Sequence, residues 1–301
     1  MSGALQRGRL AVAAIAILNN SLILCDSCTD IIRTDLFNYY IMTLCAALLR
    51  ALYSQQKENC AMPIYKVRLK CKREIAAGTM AFYFEKPQGF VYKAGQSADC
   101  TLINPAETDA EGDTRALSLA SAPYESDLVL ATRMRDTAFK RVLKTMEPGT
   151  EFILDAPHGS FTLHNNVSIP AVFLTGGIGI TPVRSIVLQA MHDRVPHRIL
   201  VFYSNKRPED AAFLDELMKS RETNPNYTFV GTMTQMKESS HEWHGETGFI
   251  SKAMLLKFID NLTLPIYYID GPPAMVNAMR EILSAAGVDD DNIRTEEFSG
   301  Y

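Results

Sequence analysis

The stretch AVFLTGGIGITP, residues 171–182, constrains the fold of this chain most. An unbroken apolar run enters three glycines and emerges into a helix pattern. A run with no polar alternation suits a strand covered on both faces, as in a parallel sheet flanked by helices. The rest of residues 170–301 keeps that rhythm. RILVFYS (198–204) precedes a helix carrying Phe213, Leu214, Leu217 and Met218. NYTFVGTMT (226–234) and IYYID (266–270) are further strands. A last helix opens at Pro272–Pro273, buries Met275, Val276, Met279, Ile282, Leu283 and Ala286, and ends at Gly287. Alternation of this kind predicts an α/β parallel sheet.

Residues 63–163 read differently. IYKVRLK (64–70), MAFYFEK (80–86), YKAGQSADCTLI (92–103), LVLATRM (128–134) and TEFILDA (150–156) alternate as strands, with turn residues between them. One helix, DTAFKRVLKTM (136–146), interrupts them. Many short strands at this spacing predict a small antiparallel barrel or sandwich. The expected boundaries are an N-terminal extension at 1–61, a barrel domain at 62–165 and an α/β domain at 166–301.

The extension differs in character from the rest of the chain. LAVAAIAIL (10–18) stands behind Arg7 and Arg9 like a signal core, but Asn19 and Asn20 interrupt it. It falls short of the ~20 apolar residues that span a bilayer. Three readings compete: a membrane-associating segment, a helical add-on, or sequence outside the functional unit, with the third favoured. Six cysteines occur, four of them before residue 61. The two that remain are too few for a disulfide framework and fit a reducing, cytoplasmic setting. A net charge of −4 provides no basic field for nucleic acid.

Ligands of an open parallel sheet bind at the C-terminal ends of its strands. Thr175, Gly176, Gly177, Ile178, Gly179, Ile180, Thr181 and Pro182 occupy such an end, where a helix start offers free N–H groups to a phosphate. An ordinary tight turn is the alternative. Gly271, Pro272 and Pro273 repeat the geometry after Asp270, so the two turns would build one crevice. Ser204, Lys206 and Arg207 follow the second strand of the sheet. Basic groups there suit a 2′-phosphate, which favours NADPH and leaves NADH open; a solvated loop is the alternative.

In the barrel half, RALSLAS (115–121) puts Leu117 and Leu119 on one side and Ala116, Ser118 and Ala120 on the other. The small side leaves room for a flat ring, with Arg115 at its entrance. Arg133, Arg135 and Thr137 stand near a helix N-terminus and suit a pyrophosphate. Gly159 marks a tight turn before Phe161. Glu296 and Phe298 lie in EEFSGY (296–301), where an aromatic could cover a ring or anchor a hydrophobic tail.

In order, RxxS, TxF (Thr137–Phe139), GxF, GGIGITP, GPP and a terminal E-x-F resemble the ferredoxin–NADP reductase superfamily over roughly residues 63–301. Gly95–Gln96 matches a family barrel position. The resemblance implies an antiparallel flavin barrel followed by a parallel-sheet NAD(P) domain. It implies FAD, with FMN open, and NADPH or NADH as hydride donor. Arg115 would neutralise the flavin phosphate, Ser118 would bond near flavin N5, and Thr137 would hold the pyrophosphate. Residues 176–182 and 271–273 would cradle NAD(P)H, with Asp270, Glu296 and Phe298 near the reacting rings. Leu117 stands where the family usually has an aromatic, and Asp270 where it often has Cys. The C-x4-C-x2-C spacing of a fused iron–sulfur domain is absent. The expected function is a flavoprotein reductase serving a separate acceptor, such as a ferredoxin or oxygenase component. A flavin or ferric reductase and a non-catalytic flavin or nucleotide sensor are the alternatives.

Overall fold

The strands and helices follow the two hydrophobic rhythms of the sequence. A computed structural model describes residues 63–222 and 224–296. The readings made for residues 1–61 and for Phe298 lie outside the described residues.

Six strands form the first sheet: β1 (Ile64–Ala76), β2 (Thr79–Glu85), β3 (Ser97–Leu102), β4 (Thr114–Ser118), β5 (Asp127–Arg133) and β6 (Glu151–His158). Their order is β4-β3-β6-β1-β2-β5, and every pair within the sheet is antiparallel. A bridge between Leu119 and Leu130 brings the two edges together and closes the barrel. Closure leaves no edge strand to pair with another chain. β1 is longer than expected because its pairing with β2 continues through two register shifts to Ala76. The opening five residues of YKAGQSADCTLI instead lie outside the strand, with a turn at Ala94–Gly95, and the strand begins at Ser97.

Alternation carries Val67, Leu69, Phe82, Phe84, Leu128, Leu130, Phe152 and Leu154 inward. Each fully buried side chain of this size contributes about 2 kcal/mol from desolvation. Helix α1 (Ala138–Thr145) caps the barrel with Phe139 and Leu143. Thr137 is its N-cap and accepts a 3.4 Å hydrogen bond from the Lys140 amide.

The second sheet is wholly parallel. Its strands are β7 (Ala171–Gly176), β8 (Ile199–Asn205), β9 (Tyr227–Met233), β10 (Glu246–Thr247), β11 (Ile266–Asp270) and β12 (Ile293–Glu296), in the order β10-β9-β8-β7-β11-β12. Helices α2 (Ile180–His192), α3 (Leu214–Lys219), α4 (Lys252–Leu256) and α5 (Pro273–Ala285) cover it, with separate apolar clusters on its two faces. All six residues of β7 are buried, as its unbroken apolar run requires. The strand order reverses between β7 and β11, which opens a crevice at their C-terminal ends. Gly177–Gly179 form a short 3₁₀ turn, and α2 begins at Ile180, two residues before the Pro182 start expected from sequence.

The described residues belong to one compact unit that begins at Met62, and polar contacts join the barrel to the parallel sheet. The Arg184 guanidinium donates to Glu125 at 2.9 and 3.1 Å, to Glu216 at 2.7 and 2.8 Å, and to the Ala120 carbonyl at 2.7 Å. The Ser185 hydroxyl donates to the Ser121 carbonyl at 2.6 Å. Among the described residues no helix is long and apolar enough to cross a membrane.

Candidate active site: two adjoining clefts

Two clefts border one another where the barrel meets the parallel sheet. The first, of about 180 Å³, lies along β4, β5 and the start of α1. Arg115, Ala116, Leu117, Ser118, Thr137 and Lys140 line it, and Ile178 and Thr181 complete its far wall. Of the small residues expected beside a ring, Ala116 and Ser118 line this cleft, whereas Ala120 is fully buried in an apolar cluster with Ala81, Val129 and Ala131. Leu117 also packs against the barrel core, so its register position does two jobs.

The cleft is rich in cations. The Arg115 side chain is only 15% exposed and lies 5.2 Å over the Phe139 ring. Arg135 and Lys140 line the same cleft. Lys140 is 9% exposed and makes no hydrogen bond or ion pair among the described residues. Burial first, and then the Arg135 and Arg115 charges, push its ammonium down to about 8. Acidic groups answer from the β3–β4 loop. Asp109 accepts from Arg115 Nη2 at 3.3 Å, and Glu111 pairs with the same nitrogen at 2.8 Å. The other Asp109 oxygen accepts from the Ala138 amide, the first of α1, at 3.0 Å. That backbone bond is the largest cause holding the Asp109 carboxyl below its usual range.

The second cleft, of about 470 Å³, runs along the C-terminal ends of β7, β8 and β11. Gly176, Gly177, Ser204, Lys206 and Pro272 line it, and so does Arg133. Sequence proximity grouped Arg133 with Thr137; the last residue of β5 instead faces the crevice. Lys206 is exposed. Arg207 is committed elsewhere: it donates to Asp210 at 2.8 and 2.9 Å. One exposed cation, rather than two, therefore follows β8.

The glycines of GGIGITP serve two ends. Gly177 has φ +56° with open space around it, a conformation other residues resist. Gly179 is small for a different reason. A Cβ there would meet the Asp270 carbonyl oxygen at 2.5 Å, so the close approach is of chain to chain. Thr175 is buried at the end of β7 and Pro182 within α2. Pro272 caps α5 and Pro273 opens it. Thr181 donates to the Ile178 carbonyl at 3.0 Å, which holds the turn between the clefts.

Thr175, Asp270 and Glu296 stand in register across β7, β11 and β12. Asp270 is fully buried. Burial pushes the Glu296 carboxyl up to about 7. Gly159, with φ +83°, lies against it: a Cβ there would stand 3.4 Å from Glu296 Oε1. The GxF turn and the terminal carboxylate, 137 residues apart in sequence numbering (296 − 159), thus share one spot.

Three residues at these clefts escaped the sequence reading. Lys140 and Asp109 belong to none of the motifs read from the sequence. Phe249, 81% exposed at the crevice rim, follows no motif. An exposed aromatic of this kind is visible only once the strands are assembled.

Comparison with known proteins agrees with this geometry. Residues 173–281 match the family model of the oxidoreductase NAD-binding domain. The chain superposes on a ferredoxin NADP⁺ reductase from Neisseria gonorrhoeae, solved with bound FAD and NADP, with TM-score 0.63 and 22% identity, over 77% of this chain and 98% of that one. The chain has the two-domain fold of that reductase, an antiparallel barrel followed by a parallel sheet. A second structure of this fold, the cytochrome P450 reductase GcoB of Amycolatopsis, gives TM-score 0.67 at 20% identity, over 79% of this chain and 71% of that one. In sequence, one subunit of the Na⁺-translocating NADH-quinone reductase of Methylococcus capsulatus is 26% identical over 203 residues, 62% of this chain and 49% of its own. The chain thus spans about half the length of the curated relatives of that kind.

The first cleft fits a flavin. Ala116 and Ala131 leave room for a ring, Ser118 provides a hydroxyl, and the unpartnered Lys140 and the Arg115 fork are suited to phosphate. The second cleft fits a dinucleotide, with helix starts at both glycine turns.

Proposed function

We propose that this protein is an NAD(P)H-dependent flavoprotein reductase that passes electrons from NAD(P)H, through FAD, to a separate acceptor. One observation carries the reading: the two clefts share their dividing wall. Gly176 and Gly177 line the crevice while Ile178 and Thr181, on the same turn, line the flavin cleft. β5 is divided in the same way, with Ala131 and Thr132 on one side and Arg133 on the other. Rings bound in the two clefts would meet across one turn of chain.

The chemistry supplied by the cofactors is hydride acceptance from a nicotinamide and onward release of electrons. The chain's task is positioning. Ser118 offers its hydroxyl to the ring in the flavin cleft, and Arg115 meets phosphate. Arg133 brings a cation to the dinucleotide crevice, and exposed Phe249 offers a face on which an adenine can stack. Glu296, held near neutrality, is able to keep or release a proton at physiological pH.

The relatives' names support a separate acceptor: one is a subunit of a quinone reductase, and another is a glycine betaine monooxygenase reductase subunit from Chromohalobacter salexigens. A ferredoxin or oxygenase component is the class of partner proposed here. The test is an anaerobic titration of the purified, flavin-loaded protein with NADPH and with NADH. Bleaching of the flavin absorbance by either is expected. A flavin spectrum that neither nucleotide changes would sink the reductase reading and leave a sensor.

A further inference from the structure

Carboxylates of the β3–β4 loop already engage the donors that the flavin cleft offers to a phosphate. The two donor groups suited to that phosphate are the Arg115 guanidinium and the first amide of α1. Asp109 engages both at once, one carboxylate oxygen 3.3 Å from Arg115 Nη2 and the other 3.0 Å from the Ala138 nitrogen. Glu111, two residues on, adds a second carboxylate 2.8 Å from the same arginine nitrogen. Arg115 also donates to the loop carbonyls of Glu111 and Gly112 at 2.9 and 3.2 Å. A carboxylate bridging a guanidinium and a helix N-terminus uses the same charge-assisted contacts as a phosphate.

A second feature points to an anion beyond those carboxylates. Lys140 is nine-tenths buried, lines the cleft, and has no polar partner among the described residues. Arg135 lines the cleft from the other side of the helix start and likewise makes no ion pair among the described residues. A buried lysine facing two arginines is costly without an anion of its own. The charge of Glu111 reaches Lys140, but its carboxylate lies on Arg115 at 2.8 Å and makes no ion pair with the lysine.

We propose that the β3–β4 loop is a latch: Asp109 competes with the flavin phosphates for Arg115 and the α1 amide, and Lys140 is reserved for the incoming phosphate. Binding a phosphorylated flavin exchanges one anion for another at the helix start and releases the loop. The latch therefore tunes how tightly flavin is held, and it discriminates phosphorylated flavins from the bare ring. This rests on the reading of the first cleft as the flavin site.

Flavin fluorescence quenching on the full chain, with FAD, FMN and riboflavin as probes, tests both. Asp109→Asn and Asp109→Ala should tighten FAD and FMN by about tenfold, the scale of one charge-assisted hydrogen bond. Riboflavin, which carries no phosphate, should bind the variants and the unaltered protein alike. Lys140→Met should weaken FAD and FMN by about tenfold and leave riboflavin unchanged. Unchanged or weaker FAD binding in both Asp109 variants, with riboflavin still bound, overturns the latch and keeps the flavin site. No binding of any of the three probes to any of these proteins overturns the flavin reading, and the latch with it.

Discussion

Two single residues show how closely the two halves are fitted. Gly95 has φ +94°, and a Cβ there would lie 2.0 Å from the Phe161 carbonyl oxygen and 2.7 Å from the Ile186 side chain. Gly95→Ala meets backbone strain and a backbone clash together, and should cost at least about 2 kcal/mol in chemical denaturation. Glu296 makes stability depend on pH. Its carboxyl titrates at about 7 in the fold, against an ordinary value of 4.5. The folded state holds the proton more tightly, so this contribution is present below about 4.5 and is lost as pH rises through about 7. Glu296→Gln should match the unaltered protein at pH 4. It should exceed it at pH 8 by at most about 3 kcal/mol, read from urea melts at both values.

Among the elements, the loop after β8 carries the cation proposed to favour NADPH over NADH. Lys206 and Arg207 are adjacent in sequence and read there as equals. In the fold Arg207 turns to Asp210 and lies 3.8 Å from Glu209, while Lys206 lines the crevice. Lys206→Ala should lower the kcat/KM ratio for NADPH over NADH by several-fold, about the worth of one phosphate contact. Arg207→Ala should leave that ratio within about twofold, because its partners are the loop's own carboxylates. Equal losses from both substitutions would mean that the loop rearranges when nucleotide binds.

The whole molecule is joined through Arg184. Its five hydrogen bonds reach Glu125 and Ala120 on the barrel side and Glu216 on α3. The guanidinium lies 4.8 Å over the Phe213 ring and is almost fully buried. Removing it strands two carboxylates and a carbonyl. Arg184→Met should therefore cost about 3 kcal/mol, a figure reduced because Glu216 is 41% exposed. Adding Glu125→Gln should recover part of that loss, and a double-mutant cycle in denaturant measures how much. A cycle with no coupling would place the cost in packing against Phe213.

How much of this was legible in the chain differs by type of signal. Unbroken apolar runs and alternating ones reported the two sheets, because side-chain period and burial are local properties. GGIGITP and GPP reported the crevice, because a strand-to-glycine-to-helix turn has one place in a parallel sheet. RALSLAS was legible in part: Ala116 and Ser118 line a cleft as its small face implied, but Ala120 is buried in the core and Leu117, from the other face, joins the lining. The sequence alone did not say which neighbour each charge would choose. Arg133 faces the crevice instead of α1, Arg207 is held by Asp210, and Asp109 reaches the helix start 29 residues away. Nor did it say that Gly179 is small for the sake of Asp270. Those outcomes depend on which strands become neighbours. Charges and close contacts act over a few ångströms in space, and only the closed barrel and the reversed strand order bring the partners that near.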